Sequence, residues 1–439
     1  MEGDLVGRSF GDVVRRRAAT HGLVVQPRMG FADPARMRAG LVATRGARAA
    51  TAGTITLDSY TRVGDHESVR LALRRGDDLN GFPIVGHGPD ATAAMIDGVA
   101  GPDFPIQVRH GSPDPRHIVA ALLASGLDAT EGGPVSYCLP YSRTPLRDAV
   151  DNWARTCEAL AGARTPEREP HLETFGGCMM GQLCPPALLV ALSVLEGLFF
   201  WQHGVRDISF SYAQQTNAAQ DEEAVAALHR LAGELLPQAR SHVVVYTYMG
   251  VFPRTEQGAL RLLGDSARLA VRTGARRLIV KTTAEAFRIP TVAENVTALE
   301  YAARVAADEF RAEAPLVGET GLHEQAKSIV DAVLELSDDV GAALVAAFAR
   351  GCLDVPYCLH PDNAGRTRGY VDGSGRLRWK RIGGLPIRET AEVISGRPMS
   401  AAELIDALSY VELKYDAGAL TPARRPALIE KTTVKERVS

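Results

Sequence analysis

Eight short runs rich in β-branched and aromatic residues alternate with helical stretches, and this alternation limits the chain to very few folds. The runs are Leu23–Arg28, Thr54–Tyr60, Pro105–His110, Pro134–Leu139, His171–Phe175, Ile208–Tyr212, Val243–Tyr248 and Leu278–Thr282. Branched and aromatic side chains suit the pleated, half-crowded surface of a strand, and Gly and Pro at the borders end each run. Between the runs, Ala, Leu and Arg recur at helical spacing, as in Ala224–Leu236 and Ser266–Ala275. Successive parallel strands each need a crossover, and a helix supplies it. Eight such units predict an α/β fold, a closed (β/α)8 TIM barrel. Gly81–Gly86 (GFPIVG) is a candidate for a further short strand and leaves the strand numbering open.

The chain has 439 residues, of which 46% are hydrophobic, enough to bury a barrel core with extensions on either side. Residues 1–21 read as an N-terminal extension, 22–310 as the barrel, and 311–439 as a helical and hairpin C-terminal extension. In that extension two amphipathic helices are expected between Glu309 and Arg350, and Asp372–Gly375 (DGSG) as the turn of a hairpin. Ser400 and Glu403 are spaced as a capping box opening a further helix. The residues from about Thr421, charged and proline-bearing, are expected to lack fixed structure.

A net charge of −3 argues against nucleic acid or an anionic membrane surface as the main partner. No stretch approaches the roughly 18 apolar residues of a membrane span, and the longest apolar run, Pro185 to Trp201, is broken by Ser193 and Glu196. The first residues are charged and carry no apolar signal core. The six cysteines include no Cys-x-x-Cys pair, so free thiols in a reducing cytoplasm are expected, with no metal site.

Polar residues gather at or just after the C-terminal ends of the runs: Arg28, Arg62, Arg109, His110, Tyr141, Tyr212, Tyr248 and Lys281. In a barrel those ends form the active face. Three guanidinium groups there can hold a dicarboxylate in one orientation, because each forks across two oxygens. Glu131, just before a Gly-Gly turn into the fourth run, adds a carboxylate suited to an ammonium group, with Tyr137 and Tyr141 as hydroxyl partners. Equally, Glu131 can be a simple turn residue and the tyrosines core. Lys281 and Glu285, four residues apart, form either a local ion pair or a grip on a polar ligand, and Thr291 with Glu294 has capping-box spacing.

From about Gly22 to Pro386 the sequence resembles the epsilon subunit of glutamate mutase, also called methylaspartate mutase. The matching segments include Val25–Gly30 (VQPRMG), Leu57–Arg62 (LDSYTR), Leu79–Pro83 (LNGFP), Gln107–Asp114 (QVRHGSPD), Glu131–Tyr141 (EGGPVSYCLPY), Leu183–Pro186 (LCPP) and Ile279–Glu285 (IVKTTAE). Their order and spacing carry the resemblance more than any one of them. The resemblance implies that Arg28, Arg62 and Arg109, with His110, clasp the two carboxylates of glutamate. It gives Glu131 a catalytic place facing the substrate amine, with Tyr137 and Tyr141 beside it. Gly30, Asn80, Pro140, Phe252, Lys281, Glu285 and Ile289 match positions that contact adenosylcobalamin. The implied reaction is a radical rearrangement of the carbon skeleton between L-glutamate and (2S,3S)-3-methylaspartate.

Cobalamin enzymes of this kind ligate cobalt through the histidine of an Asp-x-His-x-x-Gly segment. None of the 11 histidines here stands in one. The implied partner is therefore a small cobalamin-binding, sigma-type subunit, with a dimer of this chain inside a heterotetramer. Two other readings stay open at this point. One is the same family acting on a glutamate derivative, such as one tethered to a carrier. The other is a different TIM-barrel enzyme, an amino-acid lyase.

Overall fold

The computed structural model describes residues 9–179, 183–311, 318–391 and 399–417. Eight parallel strands form one sheet: β1 (Val24–Pro27), β2 (Gly53–Thr56), β3 (Ile106–Arg109), β4 (Ala129–Gly132), β5 (His171–Thr174), β6 (Asp207–Ala213), β7 (Arg240–Tyr246) and β8 (Arg277–Val280). From β2 to β8 each strand pairs with the next in sequence, and β1 pairs with β8 from Val24↔Arg277 to Pro27↔Val280. The last gap closes where Val25 bridges Thr51, through Val25 N to Ala50 O at 2.9 Å and Ala52 N to Val25 O at 3.2 Å. The result is the expected (β/α)8 barrel.

The N-terminal mouth is covered by the helix Phe10–His21, capped by the Ser9 hydroxyl. Its Gly11 N–H and Arg15 guanidinium both donate to Asp207, the first residue of β6, at 3.0 Å. The C-terminal mouth carries the loops. Among the described residues no helix is long and apolar enough to cross a membrane.

Two sequence expectations are corrected here. The fourth strand is Ala129–Gly132, not Pro134–Leu139, which forms a buried turn after it. Pro134 offers no N–H to a ladder. Gly132, at φ +134°, turns the chain out of the strand in a conformation that only glycine adopts readily. Glu131 consequently lies inside β4 rather than in a turn ahead of a strand. The second strand also stops earlier than expected, at Thr56. Asp58 accepts from Tyr60 N at 2.9 Å and Thr61 N at 3.0 Å, so residues Ser59–Arg62 wind into one helical turn. The segment Gly81–Gly86 adds no strand. It touches Leu57 through a single bridge at Phe82 and then enters the short helix Ile84–His87.

Beyond the barrel, the helices Leu322–Leu334 and Val340–Arg350 bury one apolar face each against the barrel's outer helices. The hairpin of β9 (Arg368–Val371) and β10 (Leu377–Arg381) turns at Asp372–Gly375, with Gly375 N donating to Asp372 O at 2.9 Å. Both capping boxes form, at Thr291/Glu294 and Ser400/Glu403. The residues from Thr421 lie outside those described.

Candidate active site

Arg109 ends β3 and Glu131 stands on neighbouring β4, so adjacent strand ends set them side by side. Arg109 Nη2 lies 2.8 Å from Glu131 Oε2. Both are buried, at 5% and 2% exposure. The Arg109 guanidinium also lies over the Tyr246 ring, 4.9 Å from its centroid. Burial works against its charge, but Glu131, then Tyr246 and Tyr137, hold its pKa well above the ordinary arginine value. The Tyr137 hydroxyl donates to Glu131 Oε1, and the Tyr246 hydroxyl reaches Glu131 Oε2 at 2.8 Å. Glu131 is therefore a fixed carboxylate, not a turn residue.

His110 follows Arg109 and is also buried. Its Nδ1 accepts from Ser112 N at 3.0 Å. Burial first, and then the fields of Arg62 and Arg109, push its pKa down to about 3. The ring is neutral, and with Nδ1 accepting, its proton resides on Nε2. Among the described residues that Nε2 has no partner, nor has Arg109 Nη1 or Arg62 Nε, though all three atoms are buried.

The three arginines do not share one set of contacts. Arg28 pairs with Glu285 at 3.8 Å, and Lys281 Nζ approaches the same oxygen at 3.7 Å. Arg109 is joined to Glu131. Arg62 lies near Gly111 and, with Tyr141, lines a cleft of about 780 Å³ that opens towards Arg143 and His117. Lys281 stands 5.0 Å over the Phe252 ring, and burial together with Arg28 pushes its pKa down to about 8 against the pull of Glu285. Asn80 Oδ1 accepts from Ser59 N at 3.0 Å and so anchors the turn that carries Arg62. Gly30 faces the end of β2, where a Cβ would stand 2.2 Å from Thr56 O. Pro140 lies in the turn after β4, and Ile289 is exposed. Tyr212 faces away from the mouth: its hydroxyl donates to Asp221 at 2.8 Å on the helix Ala218–Leu235.

Below Glu131 the barrel interior holds a polar stack absent from the sequence reading. The Tyr246 hydroxyl touches Glu173 as well as Glu131. Arg277 pairs with Glu173, and both are fully buried. Gln107 Nε2 donates to Glu173 Oε2 at 3.2 Å, and Gln26 Nε2 to Gln107 Oε1 at 3.0 Å. Burial opposes ionisation of Glu173, but Arg277 and Arg109 hold it below the ordinary carboxylate range. The signal was present in period two: His171 and Glu173, and Asp207 and Ser209, alternate along strands whose neighbours are apolar.

The family model described as methylaspartate mutase E chain matches residues 7–401. The chain is 33% identical to the glutamate mutase epsilon subunit of Halobacterium salinarum over 356 residues, covering 77% of this chain and 73% of that one. It is 32% identical to that of Haloarcula marismortui, covering 74% and 68%, and 30% identical to that of Yersinia enterocolitica, covering 76% and 72%. With a matched span this long and the barrel mouth arranged as described, the chain belongs to the methylaspartate mutase E chain family.

Proposed function

We propose that this chain is the substrate-binding, catalytic subunit of an adenosylcobalamin-dependent mutase that interconverts L-glutamate and (2S,3S)-3-methylaspartate. Membership of the family makes it a mutase subunit, an isomerase. The substrate is inferred from the donors left open at the barrel mouth: Arg109 Nη1, His110 Nε2 and Arg62 Nε are buried and have no partner among the described residues. Buried donors are costly to leave unpaired, and a carboxylate answers several at once. In this reading Arg28, Arg62 and Arg109, with His110, take the two carboxylates. Glu131 takes the ammonium group, and Tyr137 and Tyr141 complete its surroundings. The ligand's charges also offset those of the arginines, which among the described residues pair with two carboxylates, Glu285 and Glu131.

Adenosylcobalamin belongs at the same face, where Gly30, Asn80, Pro140, Phe252, Lys281, Glu285 and Ile289 would hold it. The residues fit such a group. Lys281 and Glu285 set a donor and an acceptor 3.7 Å apart, suited to ribose hydroxyls. Ile289 offers exposed apolar surface beside them. When bound, the cofactor supplies the radical chemistry that removes a hydrogen from the substrate. The chain's own residues bind the substrate, fix its orientation through the buried Arg109–Glu131 pair and keep water from the reacting carbons. A small subunit carrying an Asp-x-His-x-x-Gly segment would complete the site, within a heterotetramer.

The direct test is to incubate this chain with such a subunit, adenosylcobalamin and L-glutamate and to follow 3-methylaspartate. Formation of 3-methylaspartate is expected. No interconversion in either direction, with both subunits folded and the cofactor bound, overturns the substrate assignment.

A further inference from the structure

The helix Pro186–Gln202 is mostly apolar and carries a single charged residue, Glu196. That carboxylate is fully buried, and its hydrogen-bond partners among the described residues are three backbone N–H groups. Ser136 N donates to Oε1 at 2.9 Å, and Phe175 N and Gly176 N donate to Oε2 at 3.1 and 2.7 Å. Burial pushes its pKa up to about 7, and the three N–H groups work against that rise. A leucine would fill the position without the cost of burying a charge, but would leave three buried N–H groups unpaired. The carboxylate and the loops are a matched set.

Those two loops are the turn after β4 and the segment after β5, and both bear on Tyr137. Ser136 is its neighbour in the chain. The Phe175 ring packs against it with centroids 4.9 Å apart. Tyr137 in turn donates its hydroxyl to Glu131. Two glycines make the close approach possible. A Cβ at Gly133 would stand 2.0 Å from Oε1 of Glu196, and one at Gly176 would stand 2.6 Å from the backbone carbon of Leu192 on the same helix.

We propose that Glu196 is a positioning residue of the glutamate site, acting through the backbone of Ser136, Phe175 and Gly176 to set where the Tyr137 hydroxyl meets Glu131. It touches neither substrate nor cofactor, and the assignment rests on the glutamate reading given above. Glutamine fills the same space, but its amide nitrogen turns a donor towards a backbone N–H that had found an acceptor. One of the two loops must then shift, and Tyr137 with it.

The test is a double-mutant cycle in the complete enzyme: this chain, the small subunit and adenosylcobalamin. Glu196→Gln is expected to raise KM for L-glutamate about tenfold, the weight of one hydrogen bond to a charged group. Adenosylcobalamin affinity should move less than about twofold, since of the proposed cofactor contacts only Pro140 lies on one of these two loops. In a Tyr137→Phe background the same change should have less than about a twofold effect on KM, because the hydroxyl it positions is gone. Equal effects in both backgrounds overturn the proposal and leave Glu196 a general structural residue. So does a wild-type KM in Glu196→Gln. If that variant does not fold, Glu196→Asp, which keeps the charge but draws it back by one methylene, is put through the same cycle with the same two outcomes. Failure of the underlying reading looks different: the unmutated enzyme then fails to turn over L-glutamate, and the proposal falls with it.

Discussion

Arg109 uses its whole side chain. Nη2 reaches Glu131, the flat guanidinium lies over Tyr246, and Nη1 has no partner among the described residues. Lysine keeps the charge but offers neither the fork nor the flat face. Arg109→Lys is expected to lower kcat/KM roughly 10- to 100-fold, as loss of a charge-assisted hydrogen bond implies. The variant should keep its circular dichroism spectrum, and wild-type turnover would remove Arg109 from the substrate site. His110 gives a pH signature. Unfolded, it takes up a proton near its ordinary value of about 6.5; folded, it does so only near 3. The folded state thus binds fewer protons in that window. The stability contribution is complete above pH about 6.5 and is lost as pH falls towards about 3, at about 1.4 kcal/mol per unit. His110→Asn keeps an acceptor for Ser112 N but cannot titrate. Between pH 7.5 and 5 its urea-unfolding free energy should fall by about 2 kcal/mol less than that of the wild type. An identical fall in both proteins would show that His110 is not buried in its neutral form. Arg109 and His110 were readable in the sequence because they stand at the end of a run, whereas Glu131 was singled out from its place before a Gly-Gly turn and proved to lie within β4. Glu173 shows only as a period-two alternation, and a charge within a strand reads as a surface position until the closed barrel turns that face inward; Arg277 opens β8, at the end away from the active face, and Tyr246 reads as core among the apolar residues of β7.

At the level of elements, the strands were legible where packing and propensity agree. They diverge at β4. Ala129–Gly132 holds a glycine and a glutamate and scores poorly as a strand, whereas Pro134–Leu139 is rich in strand formers. Two features outweigh propensity there. Glu131 pairs in register with Glu173 on β5, and its side chain is held by Arg109, Tyr137 and Tyr246. The turn 133–139, for its part, has part of its backbone satisfied by Glu196 rather than by a ladder. β5 and β8 are in turn tied across the interior by the Glu173–Arg277 pair, which is fully buried. Removing one partner leaves an uncompensated charge. Arg277→Met should therefore cost about 3–5 kcal/mol of unfolding free energy. Adding Glu173→Gln to it should recover part of that loss, since the stranded charge is then gone. Urea denaturation of the two singles and the double reads the coupling, and strict additivity would mean that the pair does not act as a unit.

For the whole molecule, the decisive feature is an active face with polar residues below and bare apolar groups above. Tyr141, Phe287 and Ile289 are 52%, 67% and 59% exposed around the barrel mouth. They stand on the loops after β4 and β8, at the same end of the barrel as Arg109 and Lys281. In the proposed reading the cofactor and the small subunit cover them. In that reading the chain contributes Lys281 and Glu285, 3.7 Å apart, and the Phe252 ring beneath Lys281, and these would make half of a site. It contributes no Asp-x-His-x-x-Gly histidine for cobalt. Half a site gives up much of the contact area, yet the full entropy of immobilising the cofactor still has to be offset. This chain alone is therefore expected to bind adenosylcobalamin weakly, with the small subunit tightening binding at least about tenfold. Because linkage is reciprocal, the cofactor should tighten the association of the two chains by the same factor. Calorimetric titration of adenosylcobalamin into this chain, with and without the small subunit, measures the first factor, and subunit titration with and without cofactor measures the second. Unequal factors would mean that the two equilibria are not the same closed cycle, and tight stoichiometric binding by the isolated chain, with its lower base displaced, would sink the two-component reading.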